Sequence, residues 1–98
     1  MTARSLTIRG EPYLTLSGVA EMYSLELAWV REVYDYGLLG EGETLPQAGG
    51  RPGDDIAIAE RLLGRVATIE RLHRAHGVNL PGIALILELM DLMEADSP

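Results

Sequence analysis

The 98 residues are 47% apolar and 23% charged, enough to fold as one domain with a modest core but not to wall off a well-supported active-site cavity. Eight arginines, no lysine and 15 acidic residues leave a net charge of −7, which disfavours nucleic acid, because DNA-gripping proteins draw most of their affinity from cations laid on phosphates. With no cysteine, disulfides, thiolate nucleophiles and zinc–thiolate sites are excluded together.

Residues 6–8 (L-T-I) and 13–16 (Y-L-T-L) alternate apolar and polar positions around Gly10-Glu11-Pro12, which predicts a short β-hairpin or a pair of extended strands. Ser17 offers an N-cap for a short helix through Gly18-Val19-Ala20-Glu21-Met22. A turn at Tyr23-Ser24 leads into a second helix, from Leu25 or Glu26 to Tyr36, with Val30, Val33 and Tyr34 inward and Gly37 as terminator. The stretch 40–53 is rich in glycine and proline and is expected to be a mobile loop without regular structure. Asp54 or Asp55 then caps a long third helix running to His76, with Ile58, Leu62, Val66, Ile69 and Leu72 or His73 at helical spacing. Gly64, in its middle, is expected to permit close packing of another helix. Gly77 closes that helix, and Asn79, with Pro81 in the next turn, opens the last one near Leu80.

On a helical wheel this last helix is greasier than one core can cover. Ile83, Ile86, Leu87 and Met90 form one apolar stripe, and Leu85, Leu89, Leu92 and Met93 form a second beside it. A partner helix best explains the second stripe. Glu88 and Asp91 break the apolar run well short of a membrane span, and the N-terminus lacks the apolar core of a signal peptide. The expectation is a soluble, cytoplasmic chain with no membrane contact, organised as a single domain over residues 1–98 with a helical pair at about 55–95.

The order of elements, two short helices with a tight turn, a strand-loop segment and a long helix, is that of a winged helix-turn-helix module of the MerR type. The fold class expected is thus mainly α with minor β. In such modules the second helix enters the major groove and needs cations. Here it sets Arg31 against Glu26, Glu32 and Asp35, and the wing position holds Glu41 and Glu43 with only Arg51. Trp29, Tyr34 and Tyr36 lie among those acids, an aromatic-and-charge mixture that suits a protein contact, and Trp29 is the aromatic expected to be exposed.

His73 and His76 are three apart but have nothing to complete a metal site, and they suit the negative end of a helix. Glu70 and Arg74 have the spacing of an i, i+4 pair, and Asp54-Asp55 reads more simply as a helix cap than as a catalytic dyad. No nucleophile triad, phosphate loop or metal cluster appears, so neither enzyme activity nor a cofactor is expected.

The segment R-L-H-R-A-H-G-V-N-L-P-G-I-A-L-I-L-E-L-M-D-L-M resembles the C-terminal half of the chaperone-modulator (CbpM-like) family. Upstream, Asp54-Asp55 and Leu14-Thr15-Leu16 are similar to that family's acidic pair and opening strand, while Ser24 and Glu26 stand where it usually has a turn glycine and a serine cap. Heat-shock repressors of the MerR class share the G-V-N-L-x-G-I piece. The resemblance implies a non-catalytic adaptor of MerR-like fold. Such an adaptor dimerises through its helical C-terminal part, binds the J-domain of a DnaJ-like co-chaperone (CbpA-like), and so blocks stimulation of the Hsp70 DnaK. Exposure and charge then nominate Glu26, Trp29, Glu32, Asp35 and Tyr36 for the J-domain contact. Leu85, Leu89, Leu92 and Met93 are nominated for a homodimer seam. The rival reading is a MerR-type DNA-binding transcription regulator.

Overall fold

In the computed structural model, which describes residues 5–45 and 52–95, the chain opens with two antiparallel strands, β1 (Ser5–Ile8) and β2 (Glu11–Thr15). Their link is tighter than the Gly10-Glu11-Pro12 turn expected. Ile8 pairs with Glu11, so Arg9 and Gly10 are the whole loop, at φ 51° and 80°. Positive φ at both central positions matches the twist of the flanking strands, and Glu11-Pro12 are drawn into the ladder.

Helix α1 (Leu16–Tyr23) follows at once, and its N-cap is Thr15 rather than Ser17. The Thr15 hydroxyl accepts from the Gly18 amide at 3.1 Å, so Leu16, expected to end the strand, begins the helix and is fully buried. Ser24, at φ 55°, closes α1, and its amide donates to the carbonyls of Ala20 and Glu21. After Glu26 comes α2 (Leu27–Asp35), which buries Val30 and Val33. Tyr34 is half-buried, its hydroxyl accepting from the Gly42 amide at 3.1 Å, and Tyr36 and Gly37 end the helix.

The next two segments depart from expectation. Inside the stretch read as a structureless loop lies β3 (Glu43–Thr44), paired antiparallel with β4 (Ile56–Ala59). Residues 46–51 of that stretch lie outside the described residues. Strand β4 occupies what was read as the first turn of the third helix; it pairs with β2 as well, giving the sheet order β1-β2-β4-β3. Register explains the burial. Tyr13, Ala57 and Ala59 form a buried cluster on one face with Leu6, Ile8, Leu45 and Leu62 packed on it, while Leu14 and its partner Ile58 are buried on the other. A strand covered on both faces reads as an unbroken apolar run, which periodicity cannot separate from a helix.

A turn of 3₁₀ helix (Glu60–Leu62) then leads into α3 (Leu63–His76). Neither aspartate caps it. Asp54 accepts from the Ser17 hydroxyl, and Asp55 pairs with Arg31 at 2.7 Å. Gly64 is exposed, and a Cβ placed there meets nothing within 4 Å, so close helix packing is not its role. By contrast a Cβ on Gly42 would lie 2.7 Å from the Ala57 carbonyl oxygen, so the close approach of β3 to β4 depends on that glycine.

The chain forms two compact units, Met1–Val66 and Ala67–Pro98, with the boundary inside α3. In the second unit Gly77, at φ 67°, donates to the His73 carbonyl, and Val78 donates to that of Leu72, which satisfies the open end of α3. The Asn79 side chain accepts from the Gly82 amide at 2.9 Å and starts α4 (Leu80–Ala95), as its sequence position implied. Ile69, Ile83 and Leu87 are buried. Met90, expected to join them, is 44% exposed, and from Glu88 to Glu94 α4 is exposed on every side: the helix outruns the span over which its inner face is covered. The described residues are thus mainly α with a minor, four-stranded antiparallel sheet.

Candidate partner-binding surfaces

The first surface is the outer face of α2. Val30 and Val33 fix the inner side, and on a 100° wheel that leaves Ala28, Glu32 and Asp35 pointing away, all exposed. Tyr36, at the C-cap, is 48% exposed and continues this face, and Trp29 lies half-buried along its edge, so Tyr36 rather than Trp29 is the open aromatic. Glu26 is exposed but stands at the N-cap, about 14 Å along the axis from Asp35, and its side chain caps nothing. Of the five nominated residues, Glu32 and Asp35 share the outer face, Tyr36 and the half-buried Trp29 lie along one edge of it, and Glu26 is apart from them.

Three arginines of this unit are engaged by carboxylates. Arg31, on the far edge of α2, pairs with Asp55, and both are about half exposed. Arg9, at the hairpin tip, pairs with Glu43 of β3, and that hydrogen bond raises the guanidinium pKa above its ordinary value. Arg61 pairs with Glu11 at 2.8 Å. Exposed pairs of this kind add little stability, but each cancels a charge that a phosphate would otherwise meet. Arg4 and Arg51 lie outside the described residues.

A third element, not picked out in the sequence, adds apolar surface here. Met22 on α1 is 50% exposed. The signal was present: Leu16, Val19, Ala20 and Tyr23 take the i, i+3, i+4, i+7 positions of the covered side and leave Met22 off it.

The second surface is on α4. Leu85, Leu89, Leu92 and Met93 are 57%, 51%, 59% and 73% exposed. Leu85, Leu89 and Leu92 are spaced four and three, one continuous stripe along about 10 Å of axis, with Met93 beside it. Scattered exposed apolar residues are ordinary on a protein surface, and a contiguous stripe on one helix face makes this one a candidate interaction site.

His73 and His76 are exposed, and the His73 ring nitrogen Nδ1 lies 3.3 Å from the Val78 carbonyl oxygen. Among the described residues no group of three metal-binding side chains assembles, and no helix is long and apolar enough to cross a membrane. Comparison of the chain with family models, with curated proteins and with solved structures finds no match.

Proposed function

We propose that this chain is a non-enzymatic adaptor that binds a basic helical surface on another protein, the J-domain of a DnaJ-like (CbpA-like) co-chaperone, and thereby restrains its stimulation of an Hsp70 (DnaK-like) ATPase. The observation that carries this reading is the outer face of α2, where Glu32 and Asp35 stand with Tyr36 while the helix's arginine is bound to Asp55. An acidic face with an aromatic beside it favours a cationic polypeptide, because complementary potential raises the encounter rate and the aromatic supplies contact area. The resemblance of residues 71–93 to chaperone modulators supports the J-domain as that partner. On this reading the chain works as a homodimer joined through Leu85, Leu89, Leu92 and Met93, in keeping with the exposed stripe of α4.

The rival use of the same scaffold is a winged helix-turn-helix regulator, with α2 in the major groove and the β3–β4 hairpin as wing. Against it stand Glu32 and Asp35 on the face that would meet phosphate, and Glu43 on the wing holding Arg9. Titration calorimetry with a purified J-domain, run beside an electrophoretic shift at low salt, separates the two. J-domain binding that Glu32→Lys/Asp35→Lys weakens about tenfold, chiefly through association rate at low ionic strength, is the expected outcome. Tight, steeply salt-dependent DNA retardation with no J-domain binding would overturn the proposal.

A further inference from the structure

Two carboxylates are placed to take the guanidinium of Arg31. Val30 and Val33 set the inner side of α2, so on a 100° wheel Arg31 falls at one edge of the outer face, with Asp35 one turn ahead of it at i, i+4 and Glu32 further round. Asp55 is the one that holds it: Arg31 Nη2 donates to Asp55 Oδ1 at 2.7 Å, across 24 residues of sequence. Among the described residues neither Glu32 nor Asp35 takes part in an ion pair.

The backbone around Asp55 explains the outcome. The Ser17 amide donates to the Gly53 carbonyl at 3.1 Å, the Ser17 hydroxyl donates to Asp54, and the Leu45 amide donates to the Asp55 carbonyl at 2.8 Å. Gly53 is buried at φ 84°, packed so closely that a Cβ there would lie 2.7 Å from a Leu27 methyl carbon. With residues 53–55 tied to α1, α2 and the end of β3, the Asp55 carboxylate reaches Arg31 with little further loss of chain freedom. Asp35 is the weaker alternative, because an i, i+4 pair with the base N-terminal to the acid runs against the helix dipole.

We propose that Asp55 is a positioning residue for the α2 contact, an inference that rests on the adaptor reading above: by holding Arg31 at the edge of the helix it leaves the Asp35 carboxylate open to a cationic partner. Asp55 thereby sets the sign of charge that the face selects. The pair is partly exposed and adds little to folding, so its consequence lies in which groups α2 presents. Without Asp55, Arg31 turns to Asp35 one helical turn along, Glu32 is left as the unpaired acid of the outer face, and attraction for a basic helix weakens.

Three full-length variants are compared with the parent: Asp55→Ala, which removes the charge and the acceptor but keeps the backbone carbonyl that Leu45 uses, Arg31→Gln, and the two combined. Nuclear Overhauser contacts of the Arg31 side chain report its place in the free protein, and stopped-flow mixing with a purified CbpA-like J-domain at low ionic strength reports the association rate. In Asp55→Ala the Arg31 guanidinium is expected beside the Asp35 β-protons, with association slowed about threefold. Arg31→Gln, which leaves Asp35 open, is expected to associate at least as fast as the parent. The combined variant has no cation to misplace and returns to the parental rate, a recovery that a purely structural role for Asp55 does not give. An Arg31 side chain that stays away from Asp35, an unchanged rate in Asp55→Ala, or a combined variant as slow as Asp55→Ala overturns the assignment, while binding by the parent still upholds the adaptor reading. A parent that binds no J-domain overturns the adaptor reading and the assignment together.

Discussion

Arg9, Arg31 and Arg61 of the Met1–Val66 unit are each held by a carboxylate brought from a distant part of the sequence, whereas in the Ala67–Pro98 unit Arg74 is held by Glu70, one turn away on its own helix. Apolar surface follows the same division. In the first unit Leu14, Leu16, Val19, Ile58 and Leu39 are buried to within 1% of completely, and the acids of α2 form the outward face. In the second, four large side chains of α4 stand more than half exposed. The first unit closes around its core and turns the acids of α2 outward, with Met22 and Tyr36 as its large exposed apolar side chains. The second carries an uncovered apolar stripe on α4.

The contrast is broken most forcefully by truncating the same kind of side chain in each unit. Ile58 sits fully buried in the sheet beside Leu14, so Ile58→Ala should lower unfolding free energy by about 2–5 kcal/mol in urea titration. Leu85→Ala, made on an exposed position and measured at concentrations where the chain is monomeric, should fall within about 0.5 kcal/mol of the parent. A large loss in the second variant would mean that α4's stripe serves the monomer's own stability.

Leu89→Arg sharpens the same division from the side of assembly. A charge placed in a desolvated seam is severely penalised, so the variant should remain monomeric at concentrations about a hundredfold above those at which the parent dimerises, with thermal unfolding of the monomer unchanged. Light scattering over a dilution series checks it. Gly42→Ala tests the first unit's close fit instead: the added methyl meets the Ala57 carbonyl oxygen and the Ile56 side chain, and a loss of about 1–3 kcal/mol is expected.

Signals that act within a few residues were legible in the sequence. Asn79 as a cap, Gly77 as a terminator, the Tyr23-Ser24 turn and the inward Val30 and Val33 each follow from local hydrogen bonding or a wheel of one helix. What failed was long-range. Ile56-Ala57-Ile58-Ala59 is apolar on both faces because β2 and β3 flank it and side chains cover it above and below, and only the tertiary pairing tells such a run from a buried helix. Glu43-Thr44 is a strand because β4 is there to receive it, and nothing in its own two residues says so. Thr15 displaced Ser17 as cap because the Ser17 hydroxyl donates to Asp54, 37 positions away. On the α2 face, Glu32, Asp35 and Tyr36 were readable from the wheel, but the neutralisation of Arg31 needed Asp55, 24 residues on.

The smallest effect tests the hinge between the two short helices. Ser24 holds φ 55° at the end of α1, a conformation in which a Cβ crowds the backbone and glycine does not suffer. Its amide and that of Leu25, which donates to Ala20 at 2.8 Å, close the helix through backbone groups alone, so these bonds require no serine side chain. Removing the side chain relieves the left-handed strain but also frees the unfolded chain, and the two contributions oppose each other. The strain relief is the larger of the two, so Ser24→Gly should raise unfolding free energy by about 0.5 kcal/mol with an unchanged denaturant slope. Since Ser24 precedes α2, the same variant should, on the proposed J-domain reading, leave the measured J-domain affinity unchanged; a shift would mean that the angle between α1 and α2 is held by more than this backbone turn.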